Sequence, residues 1–304
     1  MNSMKKFGTW LSLILIGVVL NLLAHSLVSA QPPAEDIQKE AEEARRAMEV
    51  FLRDQKLLFK KGEHQLELDT FYSTDTETEF ILVGSTIGIG KIQNRSAGMS
   101  LIARYGILDV LELNVQTPFL YTEQEIDLGV GRTKTHDEGL GDVRAGLRYQ
   151  FLHDRGTNPD AILELNVKSR TGNDPLLGTG HWNVGSGVTL VKTIDPVVLF
   201  GHLGYAFTLE REGRDPGDQI LYQMGMGFSL NDRVSLNMQV NGAAIGRIEI
   251  DGMEIGGSSL DIINLQFGVT VRVTKRLYVE PVVSAGLTED ATDVFVGINF
   301  PYGP

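Results

Sequence analysis

Residues 263–273 alternate without a break. Ile263, Leu265, Phe267, Val269, Val271 and Val273 are apolar, and Asn264, Gln266, Gly268, Thr270 and Arg272 between them are polar or small. A strand turns successive side chains to opposite faces, so this segment has one apolar wall and one polar wall. Two architectures use such a strand. In a soluble sandwich the apolar wall meets a core; in a membrane barrel it meets lipid, and the polar wall lines the interior.

The rest of the chain favours the barrel. The same alternation recurs over 64–73, 98–105, 111–121, 142–151, 161–170, 182–190, 197–209, 220–230, 234–240, 277–287 and 293–300. Segment 74–94 contains the continuous apolar run Phe80 to Val83 and reads as a long structured loop flanking a second strand. The total is about twelve strands, an even number as single-chain bacterial barrels have. Connections alternate in kind: 106–109, 194–196, 231–232 and 274–276 are tight, whereas 122–138, 171–181, 210–218 and 249–259 are long and rich in Gly and acids. Short turns at one end and long loops at the other are the layout of an outer-membrane barrel. The fold class is therefore all-β, an antiparallel transmembrane β-barrel over 62–300, with a short tail at 301–304.

Two segments precede it. Residues 1–30 carry Lys5 and Lys6, an apolar run from Trp10 to Leu23 and the small-residue ending Val28-Ser29-Ala30, the layout of a secretory signal peptide. Residues 31–61 hold an amphipathic helix: Ile37, Ala41, Ala44, Met48, Phe51, Gln55 and Leu58 follow a 4-3-4-3 spacing, and Glu35–Lys39, Glu42–Arg46 and Glu49–Arg53 form i,i+4 pairs. The seam suits a periplasmic coiled coil that joins chains into a homo-oligomer, a plug in the barrel mouth, or a tether. A mean hydropathy of −0.04 is too polar for a bundle of membrane helices, and no later run approaches the roughly twenty apolar residues such a helix needs. With 27 basic against 39 acidic residues, nucleic acid is an unfavourable partner, because its binding rests on neutralising phosphates.

The polar faces of the predicted strands project Glu67, Asp69, Arg104, Glu112, Arg144, Arg148, Glu164, Lys168, Arg170, Gln239, Gln266, Arg272 and Glu280 into the interior. They form either a charged path for solute or salt bridges that fill a narrow barrel. Twelve strands lie between about eight, which side chains can fill, and about sixteen, which leave an aqueous channel. Val294, Val296, Ile298 and Phe300 end the last alternating strand on an aromatic, which resembles the C-terminal signal read by the barrel-assembly machinery. Enzyme chemistry finds no footing: no His stands beside a Ser on one strand face, and no two His have metal-ligand spacing. No cofactor or metal is expected.

Gly139-Leu140-Gly141-Asp142, followed by Arg148-Tyr149, then Lys168-Ser169-Arg170-Thr171-Gly172-Asn173-Asp174, Gly178-Thr179-Gly180 and Gly201-His202-Leu203-Gly204-Tyr205, resemble the phenol-degradation meta-pathway transporter family of outer-membrane proteins. The resemblance implies a monomeric-type barrel whose relatives are described as transporters, several linked to aromatic-compound operons, with no catalytic residues. The reading taken from the whole chain is a bacterial outer-membrane barrel in contact with lipid, with the helix in the periplasm, passing small solutes that include aromatic or hydrophobic compounds. The helix-then-barrel layout is also similar to the export porins of functional-amyloid systems, which implies a polypeptide cargo instead. A structural barrel with a filled lumen is the third reading.

Overall fold

The computed structural model describes residues 57–83, 86–127, 131–172 and 176–304. Among these described residues sixteen strands follow one another: β1 (His64–Val83), β2 (Thr86–Leu108), β3 (Leu111–Asp127), β4 (Arg132–Leu140), β5 (Arg144–Leu152), β6 (Asp160–Lys168), β7 (Asn183–Ile194), β8 (Val197–Thr208), β9 (Arg214–Asp215), β10 (Gln219–Ser229), β11 (Val234–Ile245), β12 (Glu249–Ile250), β13 (Met253–Glu254), β14 (Leu260–Arg272), β15 (Tyr278–Gly286) and β16 (Val294–Tyr302). Thirteen of them, with β4 and β5 sharing one strand line, form a closed antiparallel wall twelve strands around. β1 pairs with β16 as well as with β2, so the first and last strands seal the cylinder. The termini of the wall and the tight turns share one end, which is the periplasmic end in this architecture.

Burial is inverted relative to a soluble protein. Leu203 is 64% exposed and Met224 68%, whereas Glu112 on the opposite face is 0% exposed. A sandwich would bury the apolar row, so the barrel is the correct alternative. The outer row of β14, from Ile263 to Val273, rises about 33 Å along the strand at about 3.3 Å per residue, or about 25 Å after a tilt of about 40°. That is the height of the apolar band of an outer-membrane barrel. On β2 and β3 the band ends abruptly. Above Met99, Phe119 and Tyr121 the same row continues as Arg95, Glu123 and Glu125, with Arg95–Glu123 at 2.9 Å, Lys134–Glu123 at 2.6 Å and Arg132–Glu125 at 2.9 Å.

Several segments differ from the sequence reading. Segment 74–94 is not a loop: β1 and β2 run on as a paired hairpin to Val83 and Thr86. Segment 122–138 likewise becomes the continuation of β3 and its partner β4. Both extend past the lipid band, where water wets each face and apolar alternation is no longer required. Strand pairing there is supported by β-branched residues instead, such as Thr74 and Thr76. Loops 210–218 and 249–259 meet in a small sheet, β13–β12–β9. The last strand continues past Phe300 to Tyr302, so the tail placed at 301–304 begins two residues later. The leader 1–30 and the seam residues Ile37, Ala41, Ala44, Met48, Phe51 and Gln55 lie outside the described residues; Leu58 lies within them.

Candidate functional site

The inner face holds two contrasting walls, β1 to β6 and β7 to β11, with β14 to β16 between them. On β1 to β6 it carries Glu67, Asp69, Arg104, Glu112, Arg144, Arg148, Glu164 and Lys168, four carboxylates and four cations. Glu112 is the centre. Its carboxylate accepts from Arg104 Nε at 2.8 Å and from Arg148 Nη1 at 3.2 Å, and Arg148 Nε lies 3.5 Å from Glu164 Oε1. The chain continues through neutral groups: Thr189 Oγ1 donates to Glu164 Oε1 at 2.8 Å and lies 2.8 Å from His202 Nδ1. Each of these contacts joins neighbouring strands.

Around β14 and β15 the remaining expected residues take the same face. Gln266 pairs with Gln239 across β14 and β11, Gln239 accepts from Gln223 Nε2 at 2.8 Å, and Glu280 accepts from Thr270 Oγ1 at 3.0 Å. Arg272 reaches Asp232 in the β10–β11 turn at 3.4 Å. Arg170 is the exception. β6 stops at Lys168, and Arg170 is exposed in the loop beyond it. Val294, Val296, Ile298 and Phe300 stand in the outer row of β16.

A strap of chain before β1 occupies the periplasmic end. Leu58 and Phe59 are 7% and 3% exposed. Phe59 N donates to Glu112 Oε2 at 2.9 Å, Leu57 O accepts from Arg148 Nη1 at 3.1 Å, and the Arg104 guanidinium lies 4.7 Å from the centre of the Phe59 ring. The charged centre of the wall is thus also the seat of the strap. Gly62 N donates to Gly106 O and Gly106 N to Glu63 O, which ties the strap's end to the first tight turn. The sequence places Leu58 at the end of a helical seam but gives no sign of Phe59 as the anchor, because its partners Arg104 and Glu112 are far along the chain.

Three of the Gly-rich motifs, those beginning at Gly139, Lys168 and Gly178, converge on Asp142. β4 and β5 are one strand line interrupted at 141–143, and Asp142 fills the break. Its carboxylate accepts from Gly172 N at 3.0 Å, Thr179 N at 2.9 Å and Thr179 Oγ1 at 3.2 Å, with Lys168 Nζ at 3.5 Å. Thr171 Oγ1 donates to Gly141 O and accepts from Val143 N, both at 2.9 Å. Gly172 and Gly178 touch backbone to backbone: a Cβ on Gly172 would stand 2.7 Å from Gly178 Cα. Segments well separated in the chain therefore form one clasp around Asp142 that pins the loop after β6 to the interrupted strand. Asp142 itself is 8% exposed, a buried anion with three donors.

The second wall, β7, β8, β10 and β11, presents inward Thr189, Phe200, His202, Gln223, Asn237, Gln239 and a series of glycines, with no Asp, Glu, Lys or Arg among the inward positions of these described strands. Its contacts are between neutral groups, such as Asn183 Nδ2 to Thr208 Oγ1 at 2.9 Å.

The barrel fold has a solved counterpart. The COG4313 outer membrane channel from Pseudomonas putida F1 superposes with a TM-score of 0.62 at 15% identity, over 81% of this chain and 97% of that one. The toluene transporter TodX from P. putida matches with a TM-score of 0.41 at 8% identity, over 81% of this chain and 91% of that one. The transport unit of the autotransporter AIDA-I from Escherichia coli matches at 0.47 and 10%, over 85% and 97%. The family model described as the MetA-pathway of phenol degradation matches residues 61–302, the whole barrel wall with the last residues of its strap, and the chain belongs to that family.

Proposed function

We propose that the protein is an outer-membrane channel for small solutes, aromatic compounds among them, narrowed at its periplasmic end by the strap on Glu112. The observation that carries this reading is where the interior charges spend themselves. Arg104–Glu112, Glu112–Arg148 and Arg148–Glu164 each link adjacent strands. A twelve-strand cylinder with strands about 4.8 Å apart and tilted about 40° is about 24 Å across its backbone. Two long side chains from opposite walls reach about 14 Å together by bond lengths like those of the backbone. Charges paired along the wall leave the axis to water and solute, which weighs against an interior filled by salt bridges.

The aromatic preference is supported by membership of a family described by phenol degradation. Selection takes place by fit and by charge along the wall rather than by chemistry. The strap sets the rate: Leu58 and Phe59 must shift, or solute must pass beside them. The test is the mature full chain reconstituted in planar bilayers and in liposomes. Stepwise ionic conductance with phenol influx above that of protein-free vesicles is the expected result, and a folded barrel that neither conducts nor admits phenol refutes the reading.

A further inference from the structure

Two aromatic rings occupy the uncharged wall in an unusual way. Phe200 and His202 are two residues apart on β8 and face inward. Each lies over glycine on a neighbouring strand, and the imidazole also over Gly204 of its own strand. A Cβ at Gly187 would stand 2.6 Å from His202 Cε1, one at Gly204 2.8 Å from His202 Nε2, and one at Gly225 2.5 Å from Phe200 Cζ. The rings therefore occupy the space where side chains are missing, the imidazole towards β7 and the phenyl towards β10, with both half-buried.

The imidazole is fixed as well as flat. Thr189 Oγ1 has one hydrogen and gives it to Glu164, so its contact with His202 Nδ1 is accepted from an Nδ1–H. A held ring offers a face without the entropy cost of ordering a mobile side chain on binding. The same wall also offers hydrogen-bonding groups to the lumen: the amides of Gln223, Asn237 and Gln239 face inward on β10 and β11.

Resting on the channel reading above, we propose that β7, β8, β10 and β11 form the track for the permeating solute, and that its occupant is a small, planar, uncharged aromatic carrying a hydroxyl. The planar face stacks on Phe200 and His202, and the hydroxyl exchanges its water for the amides and hydroxyls of the same wall. An ionised solute would leave its hydration shell on this side with no counter-charge to receive it. Small ions travel beside the opposite wall, so the two kinds of traffic are separable by mutation.

The experiment compares influx of phenol with that of cyclohexanol, equal in hydroxyl but not planar, in liposomes carrying wild-type protein, Phe200→Leu, His202→Gln or Gly225→Val. The last keeps both rings but lifts Phe200 from the wall. Folding of each is verified by its heat-modifiable gel mobility. Wild type is expected to prefer phenol, and each variant to lose about three- to tenfold of that preference, the range of an aromatic stacking contact, with ionic conductance retained. Phenol preference that persists in both Phe200→Leu and His202→Gln overturns the track while leaving the channel intact. Wild type that conducts ions but does not prefer phenol over cyclohexanol overturns the track too, whereas wild type closed to ions and phenol alike overturns the channel reading beneath it.

Discussion

Two stretches of the inner face, β1 to β6 and β7 to β11, solve the same problem differently. Both must satisfy polar groups inside a cylinder with an apolar outside. On β1 to β6 the solution is ionic: Glu112 is fully buried between two guanidinium groups that are themselves about one-fifth exposed. On β7 to β11 it is neutral, with amide, hydroxyl and imidazole contacts and with glycines in place of longer side chains. The difference matters because the two kinds of pair fail differently. Removing one partner of a buried ion pair strands a charge, whereas removing one partner of a neutral pair leaves a group that water can reach from the lumen. The ionic half is therefore rigid and self-neutralised, and it doubles as the seat of the strap. The neutral half has little to lose by adjusting to a guest.

The largest test of that contrast is Glu112→Ala. It leaves Arg104 and Arg148 without their shared acceptor and takes away the acceptor of Phe59 N. A full loss of a buried partner costs about 3–5 kcal/mol; partial exposure of both arginines reduces this to about 2–3 kcal/mol. Urea unfolding in lipid vesicles, followed by the fluorescence of Trp182, reads the loss. The matched change on the other wall, Gln239→Ala, deletes one neutral hydrogen bond and costs about 1 kcal/mol. Equal losses would erase the distinction between the walls. Glu112→Ala should also raise single-channel conductance, because the strap loses its central contact.

Asp142→Ala tests the ionic half at its other end. Three donors lose their acceptor and Lys168 loses its nearby charge. The expected cost is about 2 kcal/mol, confined to the clasp, because the strands below it keep their pairing. Limited proteolysis of the embedded protein should cut within 169–182 in the variant and spare wild type. Asp142→Asn retains an acceptor and should lie between the two. A variant whose loop resists protease as well as wild type would show that the backbone contact between Gly172 and Gly178 suffices to hold the loop.

How much of this is legible in the chain depends on which solvent each residue meets. Lipid imposes strict alternation, so outer rows such as that of β8, with Leu199, Leu203, Tyr205 and Phe207, are visible in the sequence alone. Inner charges follow by parity, and Glu67 to Glu280 fall on the face opposite the exposed rows. Arg170 has the right parity but the wrong place: the clasp on Asp142 draws the chain out of the strand after Lys168. The hairpin beyond Ser73 and Ser96 is hidden because nothing outside the bilayer enforces alternation there. The clasp is hidden for another reason. Its motifs are recognisable, yet that Gly141-Asp142 meets Thr171-Gly172 and Thr179 is a matter of distance in space, which spacing in sequence does not encode. His202 and Phe200 read as ordinary wall residues until the glycines beside them are seen to be their floor.

Gln239→Glu sharpens the comparison by moving one property across. It sets a carboxylate on the neutral wall opposite Gln223 and Gln266, with no cation among the inward residues of β10 or β11. In water a unit charge at about 4 Å is worth about 1 kcal/mol, so cation preference should rise about fivefold, measured as a reversal potential across a KCl gradient. Gln239→Asn, which adds no charge, should leave that potential where it was. An unchanged potential in Gln239→Glu would mean that ions keep to the other wall so closely that the neutral one does not bear on them.

The smallest effect is expected where the halves meet at the periplasmic rim. Asp154, in the turn from β5 to β6, receives a 2.6 Å hydrogen bond from Lys192 Nζ of β7, and Lys192 also donates to the carbonyl of Asn158. The hydrogen bond from Lys192 holds the Asp154 carboxyl below its ordinary range. A carboxyl depressed in the folded state stabilises the fold above its unfolded pKa of about 3.9, and that contribution disappears as pH falls through the lower folded value. Wild type should therefore unfold at higher urea than Asp154→Asn near neutral pH, and the gap should close below about pH 4. The pair is partly open to solvent, so the gap should also shrink in high salt. A gap that stays constant from about pH 7 to about pH 3, on either side of the ordinary Asp value, would assign the contact to packing in the turn rather than to charge, and would leave Thr189 to Glu164 as the polar side-chain tie across the β6–β7 seam.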